Sequence, residues 1–459
     1  HPTIEHYAYF ANGNWETAAL QTNMSIAVFC NNRQLFEATV RYAVNGAGNG
    51  SIPHMIVYPT GQCQETTRAQ HYAQLGLGLL GCAAEVAWNQ GVDLYAWEGN
   101  RILKGFEYTA KYGLGEDVPY QHYLDRTGKY GFGGRNNKYD KISTVSRGSF
   151  WPIFERTYHH YSNRRGVPAP YSARVAVMKR PEGHSHDHVG LGTLVHWRPP
   201  QKASKPNKVP GVPAGLVARS SVEGLRLKWV GSVDPVSCTD ANSYIIQRAT
   251  RREGPYRTIA TEIQESSFLD GTVKNGDLYY YTIQAANDAG RSNPSAVLVA
   301  NANLPGPWRS SDVGKSTIPG FTEYNGKQFT LEGEGHDIGG TSDEFHFAYA
   351  PFSGEGTMTA RIIRPMSSQW TKPGVMMRES LDANSRHVSV LLQPHWSGAM
   401  VSRKKTGGVT TTQGESSLSE KHIIKKNRLS TPYWVRLIRF RNRFIGYMSP
   451  DGFDWQELG

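Results

Sequence analysis

Residues 61–95 read GQCQETTRAQHYAQLGLGLLGCAAEVAWNQGVDLY, a polar, charged opening followed by an apolar run. Leu75, Leu77, Leu79, Leu80, Ala83, Ala84, Val86 and Ala87 recur without a proline between Ala69 and Tyr95, which predicts one helix that Gly91 ends. Residues three or four apart share a helix face, so Arg68, His71 and Tyr72 are expected side by side on its first two turns. Glu65 and Gln70 belong to the same entrance. A cation, an imidazole and a phenol in one place suit chemistry on an anionic substrate. The same groups also suit an ordinary polar helix start that caps its own backbone and faces water.

Before and after this stretch the pattern stays helical. Residues 15–29 and 34–44 carry helical spacing, and the second run stops at Asn45-Gly46. Residues 46–62 are rich in Gly and Pro and read as a loop. Residues 100–112 form an amphipathic helix closed by Gly113, residues 115–149 a long polar and aromatic loop over a cleft, and residues 151–161 a further helix. Helices alternating with long loops over residues 1–197 predict an array of α/α hairpins or an α/α toroid.

The composition changes at Arg198. RPPQKASKPNKVPGVPAG (198–215) has no apolar periodicity, and residues 198–209 are read as a Pro/Lys linker. Beyond it the period is two. Leu225, Leu227 and Trp229 alternate, then Tyr244, Ile246 and Arg248, then Tyr279, Tyr281, Ile283 and Ala285, which predicts a β-sandwich over residues 210–302. Residues 303–459 are again β-patterned, giving a second sandwich with Tyr349, Trp370, Arg378 and Trp396 as sugar-contact candidates. The chain begins His1-Pro2 and stops at 454-DWQELG-459, so both ends are expected to be trimmed or incomplete.

The chain has 459 residues and a formal net charge of +11, which favours a polyanionic partner. No zinc-finger, RNA-binding or basic-zipper pattern accompanies that charge, so nucleic acid is not the expected partner. No apolar run reaches the ~18 residues of a membrane span. Cys30, Cys63, Cys82 and Cys238 lack metal-ligand spacing. A Cys30–Cys63 or Cys63–Cys82 disulfide and buried free thiols both remain open. His184, His186, Asp187 and His188 are close enough in sequence to consider a metal, but a structural turn is the preferred reading. No metal and no cofactor is expected.

Five segments together carry a resemblance. They are ANGNWETAALQTNMSIAVF (11–29), the quoted stretch 61–95, GFEYTAKYGLGEDVPY (105–120), YHHYSNRRG (158–166) and RPEGHSHDHVGLGTL (180–194). In this order they resemble the alginate lyase superfamily of polysaccharide lyases. The resemblance implies an α/α toroid, usually with further helical hairpins ahead of the Asn-Trp motif, so a missing N-terminal segment would complete it. It also implies β-elimination at a uronic acid and an acidic polysaccharide substrate. Such a reaction needs a neutralised carboxylate, a base for the C5 proton and an acid for the leaving O4.

His71-Tyr72-Ala73 resembles the family's catalytic tyrosine position, which makes Tyr72 the first choice for base and acid. Relatives often carry histidine there, so Tyr161 stands as the alternative. Asn14 resembles the asparagine that neutralises the carboxylate, with Glu16 able to share a proton with it and Arg68 as a cationic clamp. His71 and His160 are further catalytic candidates. Trp15, Glu65, Gln70 and Tyr120, with Trp88, Trp97 and Tyr123, are candidates for sugar subsites. Residues 279–292 (YYYTIQAANDAGRS) and the core position of Trp229 resemble fibronectin type III modules, and residues 337–362 with 374–392 resemble laminin-G/concanavalin-like jelly rolls. A secreted, modular lyase acting on glucuronan or mannuronate-rich alginate is the expectation. A non-catalytic glycan binder, or a hydrolase using Glu16 and Glu65, are its rivals.

Overall fold

The computed structural model describes residues 12–46, 48–121, 141–201, 205–221, 223–274, 277–301, 304–314, 320–324, 327–333, 335–363, 371–393, 397–415 and 432–459. Two compact units divide the chain. One holds His1–Val273 with Leu278–Ala300, the other Lys274–Asp277 with Asn301–Gly459.

The first unit opens with α1 (Gly13–Phe29) and α2 (Arg33–Asn45), then the single turn α3 (Ile52–Met55) inside the stretch read as a loop. α4 (Gln70–Asn89) packs along α1 and α5 (Trp97–Gly113). In α5 the backbone at Glu98, Gly99 and Asn100 is left-handed, so the regular helix begins at Arg101. α6 (Phe154–Tyr158) runs on into a π-turn (His159–Arg164) and packs on α7 (Pro170–Met178). α7 is absent from the sequence reading because its apolar run is short. α8 (Gly192–Val195) is one turn. Leu20, Met24, Leu77, Leu80, Ala84, Trp88, Phe106 and Phe154 form the centre of one core. Glycines let α4 sit close to its neighbours. A Cβ on Gly76 would lie 2.1 Å from Met55 Cε, and one on Gly78 2.5 Å from His188 Cε1.

The sandwich after the linker belongs to this same unit. β1 (Ala214–Ser221), β2 (Gly224–Val230) and β7 (Ser267–Asp270) form one antiparallel sheet. β10 (Leu298–Asn301), β8 (Leu278–Asn287), β5 (Ser243–Ala249) and β6 (Arg257–Ile263) form the other, and β3, β4 and β9 (Val233–Asp234, Thr239–Asp240, Gly290–Arg291) are short additions. The period-two residues face inward. Leu225, Leu227 and Trp229 are buried on β2, and Tyr279, Tyr281, Ile283 and Ala285 on β8. Trp229 packs edge-on against Tyr244 at 5.1 Å. This sandwich is packed on the helices, because Ala214, Val230 and Val233 enter the helical core. At the seam Gly91 ends α4 with φ +77, and a Cβ there would lie 2.5 Å from Gly211 Cα.

In the second unit the strands are β11 (Arg309–Val313), β12 (Phe321–Tyr324), β13 (Phe329–Glu332), β14 (Ile338–Gly339), β15 (Ser342–Asp343), β16 (Phe345–Tyr349), β17 (Gly356–Ile362), β18 (Gly374–Arg378), β19 (His387–Gln393), β20 (Ser397–Arg403), β21 (Thr411–Glu415), β22 (Tyr433–Phe440), β23 (Arg443–Ser449) and β24 (Gln456–Glu457). Its two larger sheets run in the orders β17-β22-β23-β24 and β18-β19-β20-β21. Val375, Val390, Leu392 and Met400 of one share a core with Tyr433, Val435, Leu437 and Met448 of the other. Trp370 and Trp396 lie outside the described residues. Arg378 is no sugar contact. Its guanidinium lies 3.5 Å from buried Asp343 and donates to the carbonyls of Ser380 and Asp382. All four cysteines are free thiols, Cys30 exposed and Cys63 buried.

Candidate functional site

Gln64 and Glu65 fix the entrance of α1. Gly13 N donates to Gln64 Oε1 at 3.1 Å and Asn14 N to Glu65 Oε1 at 3.4 Å. These are N–H groups of a first helical turn, which have no partner within the helix. Asn14 is buried, its Oδ1 accepts from Trp15 N at 2.9 Å, and its Nδ2 makes no hydrogen bond among the described residues. Trp15 beside it is 64% exposed, enough for its ring to meet a ligand.

The other oxygen of Glu65 takes Arg68 Nη1 at 2.8 Å. α4 starts at Gln70, so Arg68 lies in the turn before the helix and not on its first turn. The turn still brings its guanidinium 3.9 Å from the centre of the Tyr72 ring. The His71 ring is 4.1 Å from that of Tyr72. Its Nδ1 lies 3.1 Å from Ser146 Oγ, and Trp151 stacks at 6.1 Å on the same imidazole. Asn14, Glu65, Arg68, Tyr72 and His71 are thus linked contact by contact. Glu65 is fully buried. It is therefore a positioning group and not the subsite residue the sequence suggested.

Gln70 is likewise structural. Its Nε2 donates to Thr66 O and Ser143 O at 3.2 and 2.8 Å, and its N–H to Val145 O. Gln74 Nε2 donates to Ser149 O, and Gln74 Oε1 accepts from Trp151 N. Together they pin residues 143–151 across the start of α4, which sets Ser146 and Trp151 against His71. No spacing in the sequence signals these partners, because they lie more than seventy residues from α4's first turn. Tyr120 is half-buried next to Gln121, whose N–H and C=O are both held by the Gln62 amide. Tyr123 lies outside the described residues.

Further expectations are corrected. Glu16 is 0% exposed, accepts from the Tyr42 hydroxyl and Gly50 N, and shapes the turn after α2. It cannot reach a substrate carboxylate. Tyr161 is in the core, donating its hydroxyl to Tyr95 O at 2.8 Å, and burial pushes its phenol well above the usual range. His160 stacks on Tyr95 at 3.7 Å and lies 2.8 Å from Arg164 Nη1. Burial and then that guanidinium push it well below the usual histidine range, so it is neutral and cannot neutralise an anion. Trp88 is core, under the guanidinium of Arg164, while Trp97 is half-buried against that core. In the turn at residues 184–188, His184 and His186 are exposed, whereas His188 is buried beside Gly78 and edge-on to Trp151 at 5.6 Å.

The alginate lyase family model matches residues 5–118. The matched segment contains Asn14, Glu65, Arg68, His71 and Tyr72, and it excludes Tyr161 and His160. No curated protein matches the chain. Solved structures similar to it include a Fn3-like protein from Clostridium thermocellum, at 34% identity over 20% of this chain and 90% of that one, TM-score 0.17. The FN1–FN3 domains of chicken CNTN1 match at 13% identity over 55% of this chain and 70% of theirs, TM-score 0.18.

Proposed function

We propose that the helical domain is a polysaccharide lyase, working on a polyuronate such as glucuronan or mannuronate-rich alginate by syn β-elimination. The reading is supported by the alginate lyase match and carried by one observation, the Arg68 guanidinium lying 3.9 Å over the Tyr72 ring while held by buried Glu65. In β-linked glucuronate and mannuronate, H5 and O4 lie on one face of the ring. One tyrosine can then take the C5 proton on its phenolate oxygen and give that same proton to the leaving O4. Arg68 and the Asn14 amide would hold the carboxylate as it gains enolate character. His71, oriented by Ser146 and Trp151, stands beside the same phenol and would shape its proton transfer. Bond cleavage between C4 and O4 leaves a 4,5-unsaturated uronate on one fragment and a hydroxyl on the other.

Within this reading the helical hairpins are part of an α/α toroid, the second unit is a laminin-G/concanavalin-like module, and the enzyme is secreted to meet its polymer. The hydrolase rival is disfavoured because Glu16 and Glu65 are both fully buried and hydrogen-bonded, so they cannot flank a glycosidic bond. The test is ultraviolet absorbance of the conjugated product on a panel of alginate, glucuronan, hyaluronan and heparan, with wild type beside Tyr72→Phe. A rise on one polymer that Tyr72→Phe abolishes is the expected result. New reducing ends without absorbance would make the protein a hydrolase, and binding without either product would make it a glycan-binding protein.

A further inference from the structure

We infer that the outer face of the sheet β17-β22-β23-β24 is a second binding surface for an acidic polysaccharide chain. Along β22 the residues alternate. Tyr433, Val435 and Leu437 enter the core, which leaves Trp434, Arg436 and Ile438 on the opposite face. Register pairing sets Arg361 of β17 next to Trp434, and Thr359 and Tyr447 on either side of Arg436. A water-facing sheet surface needs nothing more than threonines and charges. This one carries Trp434, Trp455 and Tyr447 interleaved with two arginines.

The rings are held in place before any ligand arrives. Asp451 closes a turn by accepting from the N–H groups of Phe453 and Asp454 at 2.8 and 2.9 Å. That turn lays Gly452 against Trp434, where a Cβ would fall 3.0 Å from Cε2. Trp455 Nε1 donates to Gly452 O at 2.9 Å, and the Arg436 guanidinium lies 3.6 Å from the Trp455 ring centre. Arg436 Nε donates to Thr359 Oγ1 at 3.1 Å, and Arg361 sits 5.8 Å from the Trp434 ring. Fixed rings lose little conformational entropy on binding.

Among the described residues neither Arg361 nor Arg436 has an ion-pair partner, whereas Arg403 inside the same unit is bound on both nitrogens by Asp343. Glu457 lies opposite Tyr447 on this face and bonds its phenol, which places that acidic group at the edge strand β24. Flat rings offer stacking to the C–H face of a pyranose, and a guanidinium offers two parallel donors to a carboxylate. A polyuronate presents both features at every residue, and its charge opposes the chain's net +11. Naming the polymer as a polyuronate rests on the lyase reading above.

The experiment uses the full chain in affinity electrophoresis through gels containing polymannuronate or glucuronan. Wild type is expected to be retarded. The double variant Trp434→Ala/Arg436→Ala is expected to bind roughly tenfold more weakly, about 1.4 kcal/mol. Trp434→Tyr, which keeps a ring, should stay near wild type, and thermal unfolding confirms that each variant is folded. Turnover of short soluble oligouronates should be unchanged in all of them. Equal retardation of wild type and double variant would overturn the inference, as would a loss seen with single-stranded oligothymidylate and not with polyuronate. Failure of the lyase reading is separable, since retardation lost in the double variant would persist without any turnover.

Discussion

Removing the hydroxyl of Tyr161 and of Tyr72, one at a time, is expected to give opposite patterns. In Tyr161→Phe a phenol that is 1% exposed loses its bond to Tyr95 O, formed at 2.8 Å. The lost bond and the carbonyl left without that donor should cost about 1–3 kcal/mol of stability, with turnover of the folded protein unchanged. In Tyr72→Phe the phenol is half-buried and makes no hydrogen bond among the described residues, while the Arg68 stacking on its ring survives. Stability should therefore move by less than about 0.5 kcal/mol. The elimination rate should fall about 10²–10⁴-fold, the usual contribution of a positioned acid–base group. Urea unfolding and product absorbance read the two effects on the same preparations. Loss of turnover in Tyr161→Phe without loss of stability, or full turnover in Tyr72→Phe, would refute the assignment.

Glu65→Gln keeps an acceptor for Asn14 N but removes the charge that holds Arg68, and kcat/KM should drop about tenfold, equivalent to about 1.4 kcal/mol, with the change mainly in KM. Gly50→Ala puts a Cβ 2.7 Å from Thr17 N and 2.8 Å from Gly13 O, both backbone atoms. It should destabilise the protein by about 1–3 kcal/mol and lower turnover by shifting the start of α1. His188 and His196 are held down to about 4 by burial and by Arg156, and His160 is pushed well below the usual histidine range by burial and Arg164. Unfolded histidines bind protons below about 6.5 while these folded ones do not, so stability should fall as pH drops from about 6.5 towards 4. Asp93, pushed up to about 6 by burial, works against that slope over part of the range. A urea midpoint that is flat from pH 7 to 4.5 would contradict this. Thiol labelling of the native protein should modify exposed Cys30 rapidly and buried Cys63 only on unfolding, as mass spectrometry of the labelled peptides would show.

Local pattern by itself determined much of this protein. Apolar spacing placed α1, α2 and α4 to within a few residues, and alternation placed the inward residues of β2 and β8, because both periods follow from backbone geometry alone. The grouping of Arg68, His71 and Tyr72 was also legible, since residues so close in sequence meet whether the first of them is in a helix or in the turn before it. The tertiary structure decided which polar groups are enclosed and which are not. Glu16 and Asn14 are two residues apart in one motif, yet Tyr42 and Gly50 close on the Glu16 carboxylate, while the Asn14 Nδ2 makes no hydrogen bond among the described residues. His160 and Tyr161 each read as a catalytic candidate and are core, because Tyr95 arrives from another part of the chain to stack on one and bond the other. Residues 143–151 meet the start of α4 through the amides of Gln70 and Gln74 and through Ser146 and Trp151 on His71. Burial and hydrogen-bond partnership depend on segments distant in sequence, and no local period encodes them.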